Sequence, residues 1–220
     1  MQKIALTCLL LLFSLFSLHA QNDMHAGIAP GISFVRISGS NHLQQQGLGQ
    51  GIFLRGTLTW DMKKEWLEGG GGIEFGKMSG RVLKRDTITV NGRLDTYWKE
   101  SWEEFVSPYA NMHISMNAKW ILAEGKYLYA GGVTGMMLAK SGLLYKKTVT
   151  NWYAGLTAGV VFRIDDITGL DIAAGWRNIK LNGSSNDDYK LPDPTIPEYT
   201  IEGFKLRYVN LSLGIVVTFR

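Results

Sequence analysis

The segment Phe204 to Phe219, FKLRYVNLSLGIVVTF, restricts the fold more than any other in this chain. Arg207, Val209, Leu211, Leu213, Ile215, Val217 and Phe219 share one parity, while Tyr208, Asn210, Ser212, Gly214 and Thr218 share the other. A period of two is the signature of a β-strand, here with one apolar face and one polar or small face. The apolar face runs for about ten residues and ends on an aromatic, the pattern of a closing strand in an outer-membrane barrel. A closed barrel needs more such strands, and the rest of the chain supplies them.

The first twenty residues read as an export signal. Lys3 gives a positive start, Ile4 to Leu18 is an apolar run broken only by Thr7, Ser14 and Ser17, and cleavage is expected after Ala20. The run is short for a membrane-spanning helix and is followed at once by polar sequence. Residues 21–220 are then one barrel domain. Cys8, the single cysteine, lies inside the signal, so the mature chain carries no thiol or disulfide. The formal net charge of +4 is too slight to suggest a nucleic-acid partner.

Seven further segments alternate. The first is Ala26–Ile37, with Ile28, Ile32 and Phe34 on one face and Pro30 expected at a bulge or strand start. The second runs to Asp61, with Ile52, Leu54 and Leu58 opposite Phe53, Arg55 and Thr57. The third is Trp66–Gly80 and the fourth Trp102–Met116, with a polar excursion over 81–97 folding back near Asn91-Gly92. A turn is expected over 117–125. Lys126–Lys140 is the fifth strand, and both of its faces are apolar or small, so its inward side stays open. Ser141–Thr150 reads as a basic loop, Asn151–Ile164 as strand six and Gly169–Lys180 as strand seven. A long polar loop, Leu181–Gly203, leads to the last strand. Gly69–Gly72 lacks the following Lys-Ser/Thr and helix of a phosphate cradle, and fits a crowded strand.

Eight strands with alternately short and long connections describe an up-and-down antiparallel transmembrane β-barrel, with both termini in the periplasm. A soluble lipocalin-like barrel would turn its apolar face inward. That would bury Arg55, Asp61, Glu68, Glu74, Arg163, Asp171 and Arg177, at high cost. In a membrane barrel the same seven form an inward charge network. Trp60, Trp66, Trp120, Tyr127, Trp152, Trp176 and Phe219 fall near strand ends, as an aromatic girdle requires.

Several runs carry a family resemblance: GIAPGISF, EWLEGGGGIEFGKMSG, EEFVSPYANMHI, LYAGGVTGMML, GLDIAAGWRNI and LSLGIVVTF. Together they resemble the small Gram-negative outer-membrane β-barrel family that includes PorT, a protein of the type IX secretion system. The chain departs from that pattern in Arg220, which follows the terminal aromatic, and in the four consecutive glycines. The resemblance implies the barrel architecture and a place beside a secretion or surface-assembly machine.

The candidate chemistry is sparse. An eight-stranded barrel is just wide enough for its side chains to fill, so the inward charges are expected to plug the lumen. A small-solute channel is the alternative. His113 and Ser115 share an inward face, but Glu103 is ten residues away along the strand, roughly 33 Å, so a lipid-hydrolysing triad is not expected. His25, His42 and His113 are too dispersed in sequence for a metal set, and Asp187, Asp188 and Asp193 lack calcium-loop spacing. No catalytic residue, metal or cofactor is expected. The external segments are the functional surface: Arg81, Lys84 and Arg85, then Lys146 and Lys147, are placed to meet lipopolysaccharide phosphates. Pro192, Pro194 and Pro197 stiffen the last loop into a candidate edge for a protein partner of a secretion or envelope complex.

Overall fold

The structure is a computed structural model that describes residues 23–38, 46–62, 66–90, 93–141, 145–181 and 204–219. Eight strands follow one another: β1 (Met24–Ser38), β2 (Gln46–Asp61), β3 (Leu67–Val90), β4 (Arg93–Ala123), β5 (Lys126–Ser141), β6 (Tyr145–Arg163), β7 (Thr168–Leu181) and β8 (Phe204–Phe219). Each pairs antiparallel with its sequence neighbour, and β1 pairs with β8 to close the barrel. Closure leaves no barrel edge to be satisfied by lipid. The signal segment, His42, the acidic residues at 187, 188 and 193 and the three loop prolines lie outside the described residues.

The alternation read from the sequence becomes an inside and an outside. Ile52, Leu54, Ile114, Leu156, Leu211 and Leu213 stand exposed on the outer surface, whereas Phe53, Arg55, His113, Asn210 and Ser212 are buried within it. A soluble barrel reverses this arrangement. The outward apolar belt, with the closed ring of strands, makes this a multi-pass outer-membrane barrel. Trp66, Trp120, Trp152, Trp176 and Phe219 face outward. Tyr127 does not: it is only 8% exposed and points into the lumen, which settles the inward side of β5. The reason is register. Tyr127 shares its parity with Val133 and Met137, both buried, and not with the exposed Leu128.

Several strand boundaries differ from the sequence reading. Residues 117–123 continue β4, and the turn shrinks to Glu124-Gly125. Gly125 sits at φ +70°, a conformation that glycine adopts without steric cost. The expected basic loop is shorter, because β6 already begins at Tyr145. Most of the polar excursion is strand: β3 and β4 stay paired from Leu67↔Ala118 to Val90↔Arg93. Pro30 occupies mid-strand with no bulge. The β1–β8 ladder skips Ala29 and Pro30 and resumes at Gly31↔Ser212 in the same register, so the missing N–H interrupts the ladder locally rather than shifting it. Pro108 pairs with Lys77 of β3 one residue beyond Tyr109↔Ala139, the last rung of the β4–β5 ladder at this end.

Candidate functional site in the barrel lumen

The interior is layered along the barrel axis. Toward the long-connection end it is apolar: Val35, Ile37, Phe53, Met78, Met137 and Ile179 belong to one buried cluster. The inward charges expected from the sequence do not extend into this half. Its signal was present in the parity of Val35 and Ile37 with Ser33, and of Met137 and Ala139 with Gly135.

The middle layer is built on Glu74, which is 0% exposed. Arg55 Nε donates to its Oε2 at 3.2 Å, and Arg177 reaches the same carboxylate at 3.3 Å. The Tyr109 hydroxyl and the Asn111 amide donate to Oε1, each at 3.1 Å. The Tyr208 hydroxyl accepts from Asn111 at 3.0 Å and from Arg177 at 3.2 Å. Arg177 also stacks over the rings of Tyr153 and Tyr208, at 5.2 and 5.6 Å from their centroids. Glu74 lies on β3 and Arg177 on β7; Asn111 lies on β4 and Tyr208 on β8. Each pair is four strands apart in either direction around the closed ring. These contacts therefore cross the lumen rather than follow its wall.

Below this layer is a cavity of about 70 Å³, bordered by His113, Ser115, Asp171 and Tyr129 among others. It has room for a few waters only. Tyr129 donates to Asp171 at 3.0 Å. Its ring lies over Gly159, where an added Cβ would come within 2.5 Å of the ring carbon and hydroxyl oxygen. The glycine is what lets the aromatic lie flat against the next strand.

At the short-turn end, Lys119 Nζ donates to Asp61 Oδ1 at 2.5 Å and lies 4.6 Å from the Tyr127 ring centroid. His25 Nε2 is 3.5 Å from the same carboxylate oxygen. Beside them the Asn117 amide donates to Glu68 Oε1 at 3.1 Å.

The seven charges singled out from the sequence therefore separate. Arg55, Glu74 and Arg177 meet in one network, while Asp61, Glu68 and Asp171 each have different partners. Arg163 is exposed beside Gly125 at the end of β6 and joins none of these contacts. Its parity is inward, but it is the last residue of its strand, where the barrel opens to solvent. His25, Tyr109, Asn111, Lys119 and Tyr208 complete the layers and were missed. Lys119 was lost with the strand end assigned at Met116. Of the external candidates, Arg81 is exposed and pairs with Glu104 at 3.2 Å. Lys84 and Arg85 fall in the β3 backbone, and Lys146 and Lys147 in that of β6, so all four belong to strands rather than loops.

No family model and no curated protein matches the chain. Among solved structures it is similar to neisserial surface protein A, at 13% identity over 88% of this chain and 97% of that one, with a TM-score of 0.48. It is also similar to OprG of Pseudomonas aeruginosa, at 12% identity over 92% and 98% of the two chains, TM-score 0.46. The attachment invasion locus protein Ail of Yersinia pestis matches at 12% identity over 89% and 98%, TM-score 0.36. The architecture rests on the strand order and faces of the chain itself.

Proposed function

We propose that this protein is a non-enzymatic outer-membrane barrel with a closed lumen, acting as a structural or interaction protein through its external segments. The observation that carries this reading is the pair of diametric contacts, Glu74–Arg177 and Asn111–Tyr208, beneath an apolar plug. A solute path would have to break both. The interaction surface is the β3–β4 ribbon. Residues 93–108 of β4 pair with β3, and β5 joins only at Tyr109↔Ala139, so the ribbon continues past the wall. Such a ribbon offers backbone donors and acceptors to a partner strand.

Lipid contact has its own support. Arg36 and Arg207 face each other across β1–β8 and are exposed on the outer surface toward the long-connection end. Two cations at that height suit the phosphates of lipopolysaccharide. The resemblance to the family that includes PorT suggests that the protein partner belongs to a secretion or surface-assembly machine. In-cell cross-linking from residues of the ribbon tests this: capture of an envelope protein that is lost when residues 83–102 are shortened to a tight turn supports the reading. Unchanged capture by the shortened barrel refutes the ribbon's role. A passive channel for small solutes is the rival reading, and conductance decides against or for it.

A further inference from the structure

We infer that the short-turn mouth of the barrel holds a binding site for one divalent transition-metal cation, formed by His25, Asp61 and Glu68. The three come from three successive strands, and each offers one ligand atom, all within 4.8 Å of one another. Atoms bound to a common ion at about 2.0–2.2 Å lie roughly 3.0–3.4 Å apart, so side-chain rotation of about an ångström closes the set. One imidazole with two carboxylates suits a first-row transition ion such as Zn²⁺ or Mn²⁺ better than Mg²⁺ or Ca²⁺, which take oxygen alone.

Two features beyond the clustering point to a cation. His25 is 2% exposed, and its Nδ1 is 3.0 Å from Thr218 Oγ1, while its buried Nε2 has no hydrogen-bond partner. When Thr218 accepts from Nδ1–H, the tautomer that leaves Nε2 free to bind an ion, the Nε2 lone pair faces an Asp61 carboxylate oxygen at 3.5 Å. In that tautomer a cation between the two acceptors satisfies both. Glu68 is buried, and among the described residues it accepts from the Asn117 amide but has no cation at ion-pair distance.

Two of the proposed ligands are also held by a second group: His25 by Thr218 and Glu68 by Asn117. Outer partners of this kind fix the orientation of metal ligands. Lys119 is the competitor. Its ammonium supplies positive charge to Asp61 and must withdraw along the Tyr127 ring when an ion enters. The adjoining cavity, which Glu68 borders, has space for the waters that would complete the coordination shell. This site is independent of whether the lumen conducts.

The test is a Zn²⁺ titration of the refolded, chelator-stripped full barrel in micelles, read by competition with a chromogenic chelator. A heat-modifiability gel verifies closure of every variant. One equivalent should bind, with affinity at least about tenfold weaker in His25→Ala and in Glu68→Gln. Thr218→Val, which leaves all three ligands in place, should weaken binding by about 10–100-fold. Lys119→Met should tighten it. If His25→Ala fails to close, His25→Gln and Thr218→Val carry the same comparison. Absence of stoichiometric binding in the wild type, or binding undiminished in these variants, overturns the assignment.

Discussion

Glu74 on β3 and Arg177 on β7 meet at 3.3 Å across the full width of the barrel. The two residues stand 103 positions apart in the chain, yet their contact ties together opposite walls. Arg55 engages the same carboxylate, so one buried anion is shared by two guanidinium groups. In a lumen of low effective dielectric, removing the anion leaves two cations facing each other without compensation.

Glu74→Gln should therefore lower the unfolding free energy of the refolded barrel by about 3–5 kcal/mol, read from urea titration in micelles. A double-mutant cycle with Arg177→Met should give a coupling of about 0.5–3 kcal/mol. Independent, additive effects would mean that the cross-lumen contact is not formed.

Gly159 and Gly132 give a paired test of the aromatic packing. A methyl at Gly159 would push Tyr129 away and break its bond to Asp171, whereas at Gly132 nothing lies within 4 Å. Gly159→Ala should cost about 1.5–3 kcal/mol, as expected for loss of a hydrogen bond to a charged group. Gly132→Ala should stay within about 0.5 kcal/mol of wild type. Both are measured by the same titration.

The alternation along the strands made the barrel legible, and β8 begins and ends at the residues read from the sequence. A period of two shows which residues share a face, but not where a strand stops. Asn117, Ala118 and Lys119 have low strand propensity, so the pattern alone ends β4 before them and hides the Lys119–Asp61 pair. Tyr127 looked like an interfacial aromatic because both faces of β5 are apolar or small, leaving parity nothing to contrast. The cross-lumen partners are illegible for another reason. Which inward residues meet depends on strand stagger around the closed ring, and a strand's own pattern carries no trace of it.

The outward face can be probed with charge. Leu156 is exposed midway along β6 on the apolar belt. Leu156→Arg should destabilise the barrel in bilayers by about 2–4 kcal/mol. Arg207→Leu, on the same outer surface but toward the long connections, should change stability little. Equal effects would contradict the position of the membrane belt.

The β6–β7 turn provides a pH signature. Asp165 accepts hydrogen bonds from the backbone N–H of Thr168 at 2.6 Å and of Ile167 at 2.8 Å, which hold its carboxyl below the usual carboxylate range. The folded value is depressed, so the stabilisation is present above the unfolded value of about 3.9 and fades as pH falls through the folded value. The advantage of wild type over Asp165→Asn in unfolding midpoint should thus be constant near neutrality and shrink in acid below about pH 4. A difference that grows on acidification would contradict the turn geometry.

The most direct test of the closed lumen is planar-bilayer conductance of the refolded protein, with closure of the barrel verified by heat-modifiability. The Glu74-centred layer and the apolar cluster above it together predict a folded barrel that passes no steady current. Steady conductance in the wild type would contradict the account, because the contacts that cross the lumen could not then be its resting state.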